Sequence, residues 1–565
     1  MLFFGALVIV ILLIMDFFYR PPKPAPPPSS STQSPSPPAP AAPPAGTSGS
    51  SKIAAATVES KRANAEREIV IENELYRLKL TNRGAQVKSW ILKKYTDDHK
   101  KPLDLVNPFA APKVGYPLSL WAYDEALRNK INQALYVTEV EEGTRQGDMY
   151  SAPAAISFVY ADQQTTVRKR IKFDHSYVVE LETSVTNNGA LVQAFPAWPG
   201  GFGDQTTPGS YAAARIVVQT PEKVQRLEVK KVSGGSTING PFHWAGTTDQ
   251  YFAAVFLPKS PDTAAMVMVH ETVAVPRDRN KPELKETDQA PVLGTAVGDK
   301  TGTTQERIFV GPKALEVLSS VRAETGVNLV GAVDFGFFGT FARWLFLWLK
   351  WTHDHIRLNW GWAIVFLTVV INAALLPLRI ASMKTQLKMQ RLQPQMDEIK
   401  RKYEKYGLRD PRRQEMNKEV WELQRREGVN VMGGCLPMLL QLPFLWAFYN
   451  MLSNAIELRH AGWLWIRDLS SPDPYHLLPL ATVVTMMVLQ QMTPQAGMDP
   501  MQRRMMNVMM PVMFAVFTWT VASGLALYWT VGNVVFVLQQ YFMNRTKLAR
   551  EIRELQEKRA RKRAK

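Results

Sequence analysis

The chain has 565 residues, too many for one compact domain. Hydrophobic residues make up 46% of it, but they gather in residues 1–19 and beyond residue 335, with a polar block between. This segregation is typical of a membrane protein with a large soluble domain. The formal net charge of +17 suggests nucleic acid, yet most of the excess lies beside hydrophobic segments, where membrane orientation explains it better. A single cysteine, Cys435, excludes a disulfide framework and a cysteine-based metal site.

Residues 1–20 contain an apolar run that Asp16 shortens. A secretory signal needs a basic start and a small-residue cleavage site, and this segment has neither. We therefore favour a first transmembrane span over the alternative, a signal peptide. Residues 21–66 open with a stretch rich in Pro, Ser and Ala, which cannot bury a core and predicts an extended linker.

Residues 67–325 alternate between apolar and polar side chains in short runs separated by turn residues. Clear examples are VRKRIKF at 167–173, YVVELETSVTN at 177–187 and AAMVMVH at 264–270. Period-two alternation predicts antiparallel sheet. We therefore expect an all-β sandwich domain.

The same block offers little chemistry. Its histidines, including His175, His243 and His270, are far apart in sequence and lack the spacing of metal ligands. Its glycine group at 200, 201 and 203 lacks the strand and helix that phosphate binding requires. We expect no cofactor, no metal, no small-molecule substrate and no enzyme activity.

Residues 335–357 are too short and too charged to cross a bilayer comfortably. Trp344, Trp348 and Trp351 fall at i, i+4 and i+7 and share one helical face. This pattern favours an amphipathic helix in the membrane surface. A buried helix that docks the sheet domain on the membrane is the alternative, and the two do not exclude each other.

Five hydrophobic segments follow, at 358–378, 431–455, 475–493, 505–522 and 525–544, and we predict that they are the second to sixth transmembrane spans. Between the first two of these, residues 379–430 hold fourteen Lys or Arg against eight Asp or Glu; the tail 545–565 holds ten against three. The positive-inside rule puts both basic regions in the cytoplasm. The sequence thus predicts a polytopic α-helical membrane protein of six spans, with both termini cytoplasmic and the sheet domain outside.

The basic region 379–430 predicts a helical hairpin broken near Gly407. Its apolar positions recur at intervals of three and four, so the two arms can pair as a short coiled coil. They are Met389, Leu392, Met396, Ile399 and Tyr403. A hairpin that merely spaces its neighbours and one that docks a partner are both open.

Several motifs of the second half resemble the YidC family of membrane protein insertases. They are GGCLPMLLQLPFLWAFYNML at 433–452, IELR at 456–459, DLSSPDPYHLLP at 468–479, DPMQRRMMNVMMPVMF at 499–514 and GLALYW at 524–529. The sheet domain resembles the family's periplasmic domain more weakly, in NRGAQVKSWILKKY and DQYFAAVF. The resemblance implies a five-span insertase core in the bacterial inner membrane. It also implies a protein that inserts and helps fold new membrane proteins, alone or with the Sec translocon, without using a nucleotide.

One position departs from the family pattern. Thr368 and Pro377 match the motif of the second span, but the position of the family's groove arginine holds Asn372. Arg379 follows Pro377, and we expect its side chain to extend to the cytoplasmic surface. The resemblance therefore leaves open how this chain would attract acidic client residues.

Polar side chains in several spans predict a hydrophilic groove that would partly solvate a client segment. Together with the aromatic pair Tyr528 and Trp529, at the family's client-contacting positions, the candidate groove residues are Thr368, Asn372, Gln441, Asn450, Ser453, Thr530 and Asn533. Interhelical hydrogen bonds are the alternative for the polar groups, and interfacial anchoring is the alternative for the aromatic ones.

Basic residues of the hairpin and tail are expected to face the ribosome or anionic lipid. They are Arg401, Lys402, Arg412, Arg413, Arg559, Arg561, Lys562 and Arg563. The main alternative function is a membrane-anchored periplasmic protein that binds carbohydrate or peptide. A solute transporter would show an internal repeat, and we find no repeat of the segment around Pro437 and Pro443.

Overall fold

The computed structural model describes residues 60–146, 149–277, 287–406, 410–429, 431–493, 501, 504–547, 549–552 and 554, without the side chains of 413 and 431–442. The predicted first span and nearly all of the linker lie outside these residues. The described chain forms a β sandwich followed by a set of helices.

The strands and helices are named here in chain order. The strands are β1 (Glu68–Glu72), β2 (Tyr76–Thr81), β3 (Gln86–Thr96), β4 (Pro102–Asp104), β5 (Ser119–Ala122), β6 (Val137–Gln146), β7 (Met149–Ala161), β8 (Thr165–Phe173), β9 (Val178–Asn187), β10 (Ala190–Leu191), β11 (Ala194–Trp198), β12 (Arg215–Gln219), β13 (Val224–Glu228), β14 (Thr237–Asn239), β15 (Trp244–Thr248), β16 (Phe252–Pro258), β17 (Ala264–Pro276), β18 (Thr287–Asp299) and β19 (Thr303–Pro312). The helices are α1 (Glu125–Gln133), α2 (Leu315–Thr325), α3 (Gly339–Ile356), α4 (Trp360–Ala374), α5 (Leu376–Lys402), α6 (Arg412–Arg426), α7 (Val431–Asn454), α8 (Leu477–Met492), α9 (Met510–Thr520) and α10 (Ser523–Asn544). One-turn helices lie at Ala111–Val114 and Pro208–Tyr211.

The predicted β sandwich is confirmed. A 14-stranded sheet runs in the order β13-β12-β15-β16-β19-β9-β8-β7-β1-β2-β3-β4, with β10 on β9 and β6 on β7, and a 5-stranded sheet runs β14-β17-β18-β11-β5. β8 shows the predicted alternation, because Thr165, Val167, Lys169, Ile171 and Phe173 are its buried positions. The register between β8 and β9 is regular and antiparallel, from Thr165 opposite Asn187 to Phe173 opposite Val179.

Aromatic side chains fill the space between the two sheets. Trp90 of β3 and Trp198 of β11 are fully buried, and their ring centroids lie 5.8 Å apart. Trp198 also stacks at 5.6 Å on Phe202, from the glycine group that follows β11. This glycine loop is therefore part of the sandwich core.

Helices α5 and α6 form the two arms of the helical hairpin. Leu392, Met396 and Val429 are buried against each other, with Met389, Val420 and Leu423 packed around them. The predicted pairing of the two arms is confirmed at positions 389, 392 and 396. Farther out, Tyr403 donates a hydrogen bond to Glu419 at 2.7 Å.

Three of the hydrophobic helices, α4, α8 and α9, are shorter than the predicted spans, whereas α7 ends one residue earlier than predicted and α10 begins two residues earlier. Among the described residues, no helix by itself has both the length and the apolar composition of a membrane-crossing segment. α3 and α4 meet that test only as a pair, and they are bent by 120° at their junction. α9 is preceded by a π-helical turn at Met505–Met509.

Candidate functional site

The candidate site lies on the buried face of α4, where that helix packs against α10. Buried positions on α4 recur every three or four residues, as expected for one helical face. They are Gly361, Ala363, Ile364, Leu367, Thr368, Ile371 and Asn372. Two polar residues therefore lie on an otherwise apolar face.

Both polar side chains bond within their own helix. The Thr368 hydroxyl donates to the carbonyl of Ile364 at 2.6 Å, and the Asn372 amide nitrogen donates to the carbonyl of Thr368 at 2.7 Å. Thr368 is fully buried and Asn372 is 2% exposed. The Asn372 Oδ1 atom is also buried and has no hydrogen-bond partner among the described residues. An unsatisfied buried carbonyl is costly, so this oxygen is a natural acceptor for water or a bound chain.

Arg379 does not reach the surface as expected. It is only 9% exposed, and its guanidinium carbon lies 3.3 Å from the centroid of the Phe536 ring on α10. The expectation was wrong because α5 begins at Leu376, directly after α4, and carries Arg379 against α10 before the helix leaves the bundle. The cation–π contact then favours the guanidinium over the ring face.

Tyr528 and Trp529 face different neighbours. Tyr528 is buried and stacks on Phe448 of α7, with centroids 4.2 Å apart. Trp529 packs edge-on against Phe514 and Phe517 of α9, at 5.4 and 5.1 Å. Successive helical residues point about 100° apart, since an α-helix has about 3.6 residues per turn. The pair therefore joins α10 to two other helices.

Thr530 and Asn533 lie on α10 beyond this pair. The Thr530 and Thr482 hydroxyls are 2.8 Å apart, and the hydrogen bond between them links α10 to α8. Thr530 also donates to the carbonyl of Ala526 at 2.8 Å. Asn533 is partly buried. Thr530 thus takes part in the interhelical hydrogen bonding that was the alternative to a groove.

Two candidate groove residues lie away from the others, at the end of α7 next to the sandwich. The backbone carbonyl of Ser453 accepts a hydrogen bond from the Gln250 side chain at 2.7 Å. Asn450 bonds to the carbonyl of Trp446 at 3.0 Å and contacts Gly336. The side chain of Gln441 is outside the described structure.

The candidate basic residues are only partly described. Arg401 is exposed. Lys402 lies 3.4 Å from Glu419, and Arg412 lies 3.1 Å from Asp410. Side chain 413 and residues 559, 561, 562 and 563 fall outside the described residues.

No group of three His, Cys, Asp or Glu side chains in the described part of the chain could hold a metal ion. Two neighbouring carboxyl groups lie in the sandwich, Asp249, which is buried, and Asp204, which is partly buried. Burial and the Asp249 carboxylate raise the pKa of Asp204 well above its ordinary value. One oxygen of each carboxylate has no hydrogen-bond partner among the described residues. Burial and the nearby carboxylate thus favour the protonated form of Asp204.

Comparison with known proteins covers both parts of the chain. The family model described as the YidC periplasmic domain matches residues 68–348, and the model of the 60Kd inner membrane protein matches residues 351–552. The membrane protein insertase YidC of Geobacter metallireducens is 32% identical over 89% of this chain and 89% of its own. That of Geobacter sulfurreducens is 35% identical over 67% of this chain and 68% of its own. The chain belongs to the YidC family.

A solved structure of YidC from Thermotoga maritima shares 15% identity with this chain and covers 83% of it and 98% of its own length, with a TM-score of 0.27. A structure of an active YidC insertase with its first transmembrane domain resolved shares 18% identity, over 86% of this chain and 94% of its own, with a TM-score of 0.34. The assignment rests on the sequence relatives and family models. It confirms the predicted family, the membrane core with its β-sandwich periplasmic domain, and the prediction that the chain is not an enzyme.

Sequence reasoning missed two contacts of this core. It assigned Arg379 to the surface, and it gave no role to Gly361 or Trp463, which touch each other. A glycine inside an apolar helix was the available signal, because small residues allow close helix contacts.

Proposed function

We propose that the protein inserts newly made membrane proteins into the bacterial inner membrane and helps them fold. The observation that carries this proposal is the polar patch inside the bundle, where Asn372 has an unsatisfied oxygen and Thr368 is fully buried. A hydrophilic client segment would bind between α4 and α10 and replace part of its lost hydration there. A charge at the bilayer centre costs about 2.5 to 3.5 kcal/mol on insertion scales, and a polar interior lowers this cost.

Arg379 supplies the positive charge of this site in place of a residue at position 372. Its location against Phe536 keeps the cation inside the bundle. In a medium of low dielectric constant, a buried cation attracts a carboxylate more strongly than it does in water. Acidic client segments would therefore benefit most.

An apolar client segment would leave the site along α9 and α10. Trp529 is partly exposed, and its neighbour on α9, Phe517, is 41% exposed. Met509, in the turn before α9, and Met513, on α9, each expose more than half of their surface. Methionine side chains adapt to varied apolar partners, as an insertase with several clients requires.

The proposed topology has six spans, both termini in the cytoplasm and the sandwich in the periplasm. α3 would lie in the periplasmic surface of the inner membrane. Its Trp344, Trp348 and Trp351 are 62%, 55% and 53% exposed and share one face, as expected for a helix in the membrane surface. The charge distribution supports the orientation.

The proposed partners are nascent membrane proteins, the Sec translocon, the ribosome and anionic lipids. Exposed Arg401 and Lys402 on the hairpin support a polyanionic partner on the cytoplasmic side. A carbohydrate- or peptide-binding protein on an unrelated anchor is disfavoured, because one relative matches 89% of the chain across both parts.

Photocrosslinking tests the proposal. A small diazirine amino acid is placed at position 372, 529 or 533, and a single-span client is translated on ribosomes with membranes that contain the protein. We expect crosslinks to the client from all three positions, because a client bound between α4 and α10 would contact the side chains at these positions.

The control position is Val484, on α8, which is 51% exposed and faces away from this interior. It should crosslink to lipid and give no client product. A folded protein whose three test positions give no more client product than position 484 would refute the groove.

A further inference from the structure

The loop 455–473, between α7 and α8, lies across the ends at which three core helices begin. The Asn359 side chain, just before α4, donates to the carbonyl of Gly462 at 2.9 Å. The Asp473 carboxylate accepts a hydrogen bond from the backbone N–H of Leu478 at 2.7 Å, which satisfies one of the free N–H groups at the start of α8. The backbone N–H of Ser523, the first residue of α10, donates to the carbonyl of Ser471 at 2.7 Å. One short segment thus ties α4, α8 and α10 together at one end.

The tightest contact of this loop is between Trp463 and Gly361. A methyl group added at Gly361 would lie 2.2 to 2.6 Å from three side-chain carbons of Trp463. Only glycine lets the indole approach the helix this closely. A reciprocal pair of backbone hydrogen bonds between Trp463 and Ile466, both 2.8 Å, fixes the turn that carries the ring.

The loop is also held from the sandwich side. His460 lies 3.1 Å from Asp98 and 3.1 Å from the Thr96 hydroxyl, both at the end of β3. The guanidinium of Arg459 lies 5.6 Å from the rings of Tyr251 and Phe252. The loop is therefore clamped between the β sandwich and the helix ends.

This clamp bears on the polar patch of α4. Gly361 and Thr368 are seven residues apart, or about 10 Å along a helix that rises about 1.5 Å per residue. If water enters the polar patch from the far end of the bundle, the part of α4 between Gly361 and Thr368 must stay dry. Otherwise a continuous water-filled pore would cross the membrane. The buried Ala363, Ile364 and Leu367 supply the apolar side chains of the stretch.

We propose that the loop 455–473 is a fixed seal of the insertase core, with the Gly361–Trp463 contact as its closing point. Trp463 and Gly361 are positioning residues: they keep ions out and hold α4 against α10 while the site opens at its other end. This inference rests on the proposed function, but ion leakage tests it without any client.

The experiment uses the full-length protein in liposomes that enclose a pH-sensitive dye. After a pH step, Gly361→Ala and Trp463→Ala should raise the initial rate of proton leakage several-fold over that of the unaltered protein. Trp463→Phe should restore tight vesicles, because the indole Nε1 has no hydrogen-bond partner among the described residues and only the ring fills the contact.

The matched control is Gly532→Ala on α10, where an added methyl group would meet no described atom within 4 Å apart from the backbone of its own helix. It should leave the vesicles tight. Folding of each variant is checked by its thermal unfolding midpoint in detergent. Two results overturn the seal: tight vesicles with folded Gly361→Ala and Trp463→Ala, or equal leakage with Gly532→Ala. Client insertion is measured on the same samples, so a tight protein that inserts no client would refute the proposed function alone.

Discussion

The β sandwich and the buried face of α4 both hold polar side chains, but these side chains find their hydrogen-bond partners at different distances along the chain. In the sandwich, the Lys169 Nζ donates to the carbonyl of Ala85, 84 residues away, at 2.7 Å, and to that of Leu118, 51 residues away. On α4, Thr368 and Asn372 each bond to a carbonyl four residues earlier.

The range of a hydrogen bond decides whether it opposes the separation of two packed elements. A long-range hydrogen bond breaks when its two elements separate, so it opposes their motion. A bond within one helix survives when that helix moves away from its neighbour. The two polar groups on the buried face of α4 therefore add little resistance to separation from α10, which suits the client-binding site proposed above.

The largest expected effect follows from removing a long-range bond. Lys169→Met keeps an unbranched apolar stem but leaves the carbonyls of Ala85 and Leu118 without their donor. Each unsatisfied buried carbonyl costs about 1 to 3 kcal/mol, less what the variant gains by no longer burying an amine. We expect the free energy of unfolding of the sandwich to fall by about 2 to 4 kcal/mol. Hydrogen exchange of peptides from β3 and β5 should localise the loss.

Lys79→Met is the matched control for this variant. Lys79 is exposed, and its ion pair with Glu68 at 3.2 Å is a surface contact. Such pairs contribute about 0 to 1 kcal/mol. If both lysine variants exchange at the same rate in β3 and β5, the long-range bonds of Lys169 do not hold the sandwich together.

A smaller effect is expected from pH. Burial lowers the pKa of Lys169 from 10.5 to about 7. Between these values the unfolded chain binds the proton and the folded chain does not, so the stability of the sandwich should rise with pH. One group contributes at most about 1.4 kcal/mol per pH unit. Urea unfolding between about pH 7 and pH 9 should show a steeper rise in the unaltered protein than in Lys169→Met, where buried Lys313, whose pKa burial lowers to about 8, still contributes.

The sandwich was predictable from sequence because its strands follow local alternation. The run 167–173 has period two, and it forms β8 with the expected face buried. The pairing order of the two sheets was not predictable. It depends on long-range pairings such as that of β9 with β19, where Val178 lies opposite Phe309, 131 positions later, and no local pattern encodes them.

The site was predictable in its residue types more than in its geometry. Thr368 and Asn372 were identified because polar residues are unusual in a span. The burial of Arg379 was missed because it depends on where α4 ends, at Ala374, and where α5 begins, at Leu376. Asn450 and Ser453 lie on α7, away from the candidates on α4 and α10, and the sandwich contacts the carbonyl of Ser453.

The smallest predicted effect tests whether a bond between two helices counts for more than one within a helix. Thr530→Val removes the link to Thr482 at 2.8 Å. Thr485→Val, its control, removes a hydroxyl that donates to Ala481 and Thr482 of its own helix, at 2.7 and 2.9 Å. Interhelical hydrogen bonds in membranes average about 0.6 kcal/mol. The unfolding midpoint in detergent should therefore fall slightly for Thr530→Val and stay unchanged for Thr485→Val.

The double variant Thr530→Val with Thr482→Val should show a coupling energy of about 0.6 kcal/mol, since both single changes remove the same bond. Equal effects at 530 and 485, with no coupling, would mean that the helices are held by packing alone. The polar face of α4 would then be no easier to open than an apolar one.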